Sequence, residues 1–514
     1  MIDDTPMIDF LQPFLDKKQA LDALDYSKRH ARGMLSAKER VDLLVDEGSF
    51  TEIAPLARES DLASSTKPGE TPRDGMVVGY GKVDGRMVGV AAYDMQFRGG
   101  SMGKVCEWKF TRLKRLIHEQ KFPLIILCEG TGARLEEEVS SQGAYDNPQF
   151  SNLVSLSGQV PIVCAMMGLC IGAHANLSAI ADFVPMTEQS CMMIAGPALL
   201  KSKMGVDITL EELGGARKHV EESGMADLLV KDDRECIAKI KEFLSYLPSN
   251  CEELPPHVKS SDSAERSCDE LEQIVPTDMR FAYDILEVIK SLVDDGNYFE
   301  FKPDFGSNVV TCMARMNGRV VGFIANQPEW MSGTLDVKAC MKICRFINFC
   351  DVYGIALIFL QDIPGYYPSP ESEMAGIIRW STRMIYEIEH ATVPRLTVMM
   401  RKAYGLAHYG MNSLGMQPDL IVAWPLATFS PISPDDAVDI LFGKEYAKLP
   451  NGPQLREDKI REFESKTNIL PAAQAALVDD IIDPKDTRKV LIRALEMAKK
   501  RRPPRFKHRG ITPI

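Results

Sequence analysis

Short apolar runs recur along this chain, each closed by a glycine-containing segment and followed by a stretch with helical spacing. The DGR and NGR tripeptides in GKVDGRMVGVAA (81–92) and ARMNGRVVGFIA (314–325) lie between β-branched runs and predict hairpin turns. Amphipathic stretches follow, KVCEWKFTRLKRLIHEQ and DVKACMKICRFINFCD. Fully apolar runs, LIILC and ALIFL, then end in glycine-rich segments, and a second pair, VPIVCAMM and VPRLTVMM, repeats the pattern. Strands of this kind, alternating with helices and apolar throughout, predict an α/β fold with buried strands.

The pattern occurs twice. At an offset of 233 residues GKVDGRMVGVAA pairs with ARMNGRVVGFIA, Gly100 with Gly333, and LIILCEGTG (124–132) with LIFLQDIPG (357–365). VPIVCAMMGLCIGA (160–173) pairs with VPRLTVMMRKAYGL (393–406) at the same offset. VDLLVDEGSFTE (42–53) and IKSLVDDGNYFE (289–300) open the two copies as amphipathic helices ending at a turn. The segment 247–276, rich in Pro, Ser and charge, reads as a linker over the surface. Two domains, 1–250 and 251–514, are therefore expected, as a length of 514 residues also suggests.

A formal net charge of −12 argues against nucleic acid or an anionic membrane as the main partner. No apolar run reaches the length of a bilayer span, and the acidic N-terminus MIDDTPMIDFLQPF lacks the basic and apolar regions of a secretory signal. Twelve cysteines without a CxxC pair fit a reduced, cytoplasmic protein. Cys340 and Cys344 lie one helical turn apart, but packing as small hydrophobes outweighs metal binding, and no metal is expected.

Candidate chemistry gathers in four segments: Glu129–Arg134, Gly168–Ala173, Asp362–Gly365 and Tyr404–Ala407. Each follows an apolar strand and precedes a helical stretch, which leaves backbone N–H groups free to face a ligand. Two such amides on one oxygen form an oxyanion hole for an enolate or tetrahedral intermediate. The competing reading is that these glycines only make tight turns. His174 and His408 lie in the segments and fit packing roles better than acid–base ones. The run Arg134–Glu138 reads as a solvated helix start, and Glu373 as a lone carboxylate. The sequence has no P-loop, GxSxG elbow or GxGxxG fingerprint.

Longer signatures span nearly the whole chain: LSAKERVDLLVDEGSFTE, DGMVVGYGKVDGR, FRGGSMG and EELGGARKHVEESGMADL in the first half, and RVVGFIANQP, QDIPGYYPSPESEMAGIIR, ATVPRLTVMMRKAYG, DLIVAWP and the tail RRPPRFKHRGITPI in the second. By these segments the chain resembles the carboxyltransferase (β) subunits of propionyl-CoA-type carboxylases and their methylmalonyl-CoA decarboxylase relatives. The resemblance implies two tandem crotonase-like (ββα spiral) domains and a hexameric ring, with sites between the first domain of one protomer and the second of its partner. It also implies an acyl-CoA on the first domain and biotin, borne by a separate carrier, on the second, with a biotin carboxylase as partner subunit. On this basis Gly172 and Ala173 supply amides to the thioester oxygen, and Leu406 and Ala407 to the biotin ureido oxygen. Gly130, Thr131, Gly132, Gly365, Tyr404 and Gly405 are the cofactor-binding candidates. The biotin nitrogen itself would take the α-proton.

The chain departs from the family pattern at several of these positions. Ala173 and Leu406 stand where glycine is usual, Leu169 where proline is, and Glu129-Gly-Thr-Gly where Asp-Ser-Gly-Gly is. Tyr409 stands where relatives carry a residue that helps choose acyl length. Carboxyl transfer to an acyl-CoA is the favoured reading. The α subunit of a biotin-dependent decarboxylase and a non-catalytic scaffolding paralogue are the alternatives.

Overall fold

Both predicted hairpins form in the computed structural model, which describes residues 7–60, 71–138, 149–499 and Pro503. The tail RRPPRFKHRGITPI lies outside the described residues apart from Pro503. The chain divides into two compact units, Met1–Glu253 and Leu254–Ile514. In the first, the strands are β1 (Thr51–Glu52), β2 (Met76–Val83), β3 (Arg86–Tyr93), β4 (Leu124–Gly130), β5 (Ile162–Ile171), β6 (Pro185–Thr187), β7 (Cys191–Met193) and β8 (Leu228–Val230). They form one sheet in the order β1-β2-β3-β4-β5-β6-β8, with β7 beside the end of β5.

The second unit repeats this with β9 (Tyr298–Phe301), β10 (Val309–Met316), β11 (Arg319–Asn326), β12 (Ala356–Ile363), β13 (Arg395–Tyr404), β14 (Leu420–Ala423), β15 (Thr428–Ser430) and β16 (Asp480–Ile481). Its order is β9-β10-β11-β12-β13-β14-β16, with β15 beside β13. The bounds of β2, β3 and β5 recur in β10, β11 and β13 at the offset read from the sequence. Even the register shift between Cys128 and Gly130 recurs between Gln361 and Ile363.

The hairpins are antiparallel and the strands that follow are parallel. Every residue of β4 and β12 is buried, which accounts for their unbroken apolar pattern. The helix Lys104–Gln120 covers the first sheet with Phe110, Leu113 and Ile117, and Val337–Val352 covers the second with Ile343, Phe346 and Ile347. Cys340 and Cys344 are buried in that second helix, where burial pushes the Cys344 thiol up to about 12. Among the described residues, no helix is long and apolar enough to cross a membrane.

Segment 247–276 is only partly a surface linker. Leu247, Cys268, Leu271 and Val275 are buried, the last three in the core of the second unit. Its charged and Ser-rich composition hid these few spaced apolar anchors.

The hairpin turns carry positive φ at both central residues, 48° and 78° at Asp84-Gly85 and 49° and 76° at Asn317-Gly318. Their surroundings differ. A Cβ on Gly85 meets nothing within 4 Å, whereas one on Gly318 collides with the Val258 carbonyl. Gly85→Ala is expected to cost about 1–2 kcal/mol from backbone strain alone. Gly318→Ala is expected to cost about 1–3 kcal/mol more through overpacking. Urea unfolding of the two variants side by side checks the difference, and equal losses refute it.

Candidate active site

The C-terminal ends of β4 and β5 bring two turns together in the first unit. At the register shift the strand turns Glu129 inward, and its carboxylate meets two guanidinium groups, Arg29 and Arg40, each with a nitrogen 2.7 Å from Oε2. Arg40 is fully buried and also pairs with Asp233 at 2.8 Å and donates to the Met167 carbonyl at 2.9 Å. Gly168 is the residue of β5 that lets Glu129 pass, since a Cβ there would come within 2.5 Å of the carboxyl carbon. A second buried network binds Arg134 to Asp74 and, at 3.0 Å, to Glu137. Arg134 and Glu137 are therefore not on a solvated helix start as expected, because Asp74 arrives from the turn before β2 to neutralise the guanidinium.

In the second unit Asp362 occupies the position of Glu129. Its carboxylate accepts from Arg401 Nε at 2.8 Å, from the Tyr283 hydroxyl at 3.1 Å and from the Lys402 N–H at 3.1 Å. The Arg401 guanidinium lies over the Tyr283 ring, 4.7 Å from its centroid. Arg401 stands at the offset position of Gly168, so the guanidinium that anchors the carboxylate comes from the neighbouring strand here and from the helices Ser27–His30 and Ala37–Leu44 in the first unit. Sequence reasoning missed Arg29, Arg40, Asp74, Asp233 and Arg401. A charged residue on an amphipathic helix or beside a strand reads as solvated, and only the partner's position shows otherwise.

The glycine segments are shorter as loops than the sequence suggests. Gly168–Ile171 continue β5, where Leu169–Ile171 pair with β7, and Lys402–Tyr404 pair with β15. Glu129 and Gly130 belong to β4, and Asp362 and Ile363 to β12. Gly172 turns the chain at φ 63° and ψ −121°, and Ala173 begins the helix Ala173–Ser178. The first helical bond there is Asn176 N–H to Gly172 O, which leaves the amides of Ala173 and His174 without intrahelical partners.

The Gly172 amide is not available as expected, because it donates to the Met193 carbonyl of β7 at 2.9 Å. The Gly405 amide likewise donates to Ser430 of β15 at 3.2 Å. Thr131 N–H donates to Gly99 O at 3.0 Å and Gly132 N–H to His174 Nδ1 at 3.1 Å, so those two amides are also committed. Gly130 is buried and packs its Cα against the His174 ring and the Gly100 carbonyl, and Gly365 sits in open space at φ 150°.

After Gly405 at φ 65°, Leu406 adopts ordinary helical angles, φ −67° and ψ −20°. The glycine usual there is dispensable, and the Leu406 side chain points to solvent. Tyr404 is nearly buried, with its hydroxyl 2.8 Å from Thr428 Oγ1. His408 bonds the Gly405 carbonyl, and burial lowers its pKa. Glu373 is exposed on its short helix.

Tyr409, at the rim, and His408 line a cavity of about 420 Å³ whose walls are mostly apolar, including Met399, Ile421, Phe429 and Leu477. The Tyr409 ring lies against Gly415, where a Cβ would come within 2.5 Å of it.

Two copies of one parallel-strand unit, each ending in an amide-bearing turn beside an anchored carboxylate, match a known architecture. Residues 28–511 match the carboxyl transferase domain. The chain belongs to the carboxyl transferase family. It is 38% identical over 478 residues to the propionyl-CoA carboxylase carboxyltransferase subunit of Haloferax mediterranei, covering 93% of this chain and 92% of that one. It is 36% identical over 476 residues to the methylmalonyl-CoA decarboxylase α subunit of Veillonella parvula, covering 92% of each. The crystal structure of the transcarboxylase 12S hexamer with methylmalonyl-coenzyme A superposes with a TM-score of 0.92 at 35% identity, over 99% of this chain and 100% of that one.

The two tandem units of this carboxyl transferase are thus crotonase-like domains, and the chain is an enzyme component that transfers a carboxyl group. Seen within the family, the departures at Ala173 and Leu406 retain a backbone amide in an unstrained conformation.

Proposed function

We propose that this carboxyl transferase moves CO2 between carboxybiotin, held on a separate carrier, and the α-carbon of an acyl-CoA through a thioester enolate. The observation that carries this is the pair of turns at Gly172–His174 and Gly405–Ala407, each presenting amides without intrahelical partners beside a buried carboxylate anchor. A developing enolate oxygen at the first turn gains most from donors already held in place. Ala173 and His174, rather than Gly172, are the first-turn donors, and Leu406 and Ala407 are the second-turn donors. Biotin, when bound, supplies the carboxyl group and the base. This chain's residues bind, orient and exclude water.

Sites of this kind fit a hexamer, the assembly described for the 12S relative. Twelve free cysteines, eleven of them buried, support a reducing, cytoplasmic setting. The decarboxylase relative supports a second reading in which the same half-reaction runs in reverse, its direction set by the partner subunits.

The test is the reverse half-reaction. The purified chain, incubated with free biotin and a panel of carboxylated acyl-CoAs, is expected to release the decarboxylated thioester from at least one member. The panel spans aliphatic, branched and aromatic acyl groups, because Tyr409, which lines the cavity, stands where relatives carry a residue that helps choose acyl length. No turnover on any member, with no CoA-ester binding, would leave the scaffold reading standing.

A further inference from the structure

Two turns of the first unit come from different strands yet are joined by one side chain. His174 follows Ala173 in the helix after β5 and is fully buried. Its Nδ1 accepts the Gly132 N–H at 3.1 Å, which places the ring proton on Nε2. The Tyr93 ring meets it edge-on, with centroids 4.4 Å apart at 71°. Beneath it lies Gly130, where a Cβ would come within 2.6 Å of Nε2, and Nε2 lies near the Gly100 carbonyl without a well-formed hydrogen bond. Burial pushes the ring pKa down to about 3, so the ring is neutral under ordinary conditions and Nδ1 stays an acceptor.

The second unit lacks this tie. The offset position of His174 is Ala407, and the turn glycine Gly365 adopts φ 150° in place of the 91° at Gly132. Two other bonds of the turn recur in both units. Met102 N–H to Gly132 O at 2.8 Å is matched by Leu335 N–H to Gly365 O at 3.0 Å, and Arg134 N–H to Met102 O at 2.8 Å by Tyr367 N–H to Leu335 O at 2.9 Å. The Thr131 bond to Gly99 has no counterpart, because Pro364 lacks an N–H. The histidine is therefore an addition to a shared frame.

We infer that His174 is a positioning residue of the first site, whose Nδ1 fixes the Gly130–Gly132 turn relative to the neighbouring Ala173 amide. This rests on reading Ala173 as an oxyanion donor. A base would need access to substrate and solvent, and this ring has neither. What the ring does have is a fixed plane and a single acceptor aimed at one amide. Loss of that acceptor leaves a buried N–H unpaired and frees the turn to shift, and a displacement of about 1 Å at a reacting centre can cost on the order of 100-fold in rate.

The full-length chain is tested in the free-biotin half-reaction with a carboxylated acyl-CoA that the wild type turns over. His174→Phe keeps an aromatic ring against Tyr93 but has no acceptor. It is expected to lower kcat by about tenfold to 100-fold with little change in KM. His174→Asn, which keeps an acceptor near the Nδ1 position, is expected to recover most of that rate.

Hydrogen exchange at the Gly132 amide, followed in the peptide spanning 129–134, is expected to quicken in the Phe variant and stay slow in the Asn variant. A Phe variant with wild-type kcat overturns the inference. So does an Asn variant that is slow while Gly132 stays protected, and this arm decides the matter if the Phe variant does not fold. If the wild type turns over no thioester, the proposed function fails, while the exchange experiment still reports on the His174–Gly132 link.

Discussion

Ala173→Pro is expected to lower the carboxyl-transfer rate by about 10²–10³-fold, the usual cost of one oxyanion donor, while leaving the chain folded. Proline removes the N–H and adds little strain, because Ala173 is the first helical residue, where proline's fixed φ suits the backbone. The residue before a proline must avoid helical angles, and Gly172 already does so at φ 63° and ψ −121°, the mirror image of the extended region. The Gly172 amide cannot compensate, since it is held by Met193. Far-UV circular dichroism and the thermal midpoint should match the wild type within a few degrees. Unchanged turnover would remove Ala173 from the donor set. Ala407→Pro is a poorer probe, because Leu406 before it is helical and proline would strain it.

The largest stability effect is expected at Arg40. Arg40→Met is expected to cost about 3–5 kcal/mol, the range for removing one partner of a buried ion pair. Arg40 joins the helix Ala37–Leu44 to Glu129 at the β4 bulge, to Asp233 at the start of Asp233–Ser245 and to the carbonyl of Met167 on β5. Methionine fills much of the volume but, among the described residues, leaves the Asp233 carboxylate with the Leu35 amide, 2.9 Å away, as its one hydrogen-bond donor. In a unit of this size the thermal midpoint should fall by on the order of 10 °C. Arg29→Met is expected to cost less, since Glu129 retains Arg40 and Arg29 lies nearer solvent. A midpoint for Arg40→Met equal to that of Arg29→Met would refute this ranking.

Much of the fold was legible before any coordinate. The turns at Asp84-Gly85 and Asn317-Gly318 are specified by the few residues that tolerate positive φ, and the runs LIILC and ALIFL by burial on both faces. The duplication added what single segments do not show, because strands equivalent at one offset must pair alike. The site was legible only as a neighbourhood. Gly172 looks like an amide donor in sequence and Gly405 like a cofactor-binding glycine, yet the amides of both are bound by carbonyls from β7 and β15. Arg134 looks like a solvated helix start until Asp74 is placed beside it.

The sequence alone determined the two-copy α/β plan, the hairpins, the covering helices and the segments where chemistry gathers, since turn sterics and side-chain periodicity act over a few neighbouring residues. The tertiary structure decided which of those amides are free, which charges are paired out of water and that His174 ties two turns together. Each of these depends on a partner brought from a distant part of the chain, and a buried polar group is defined by the partner that meets it.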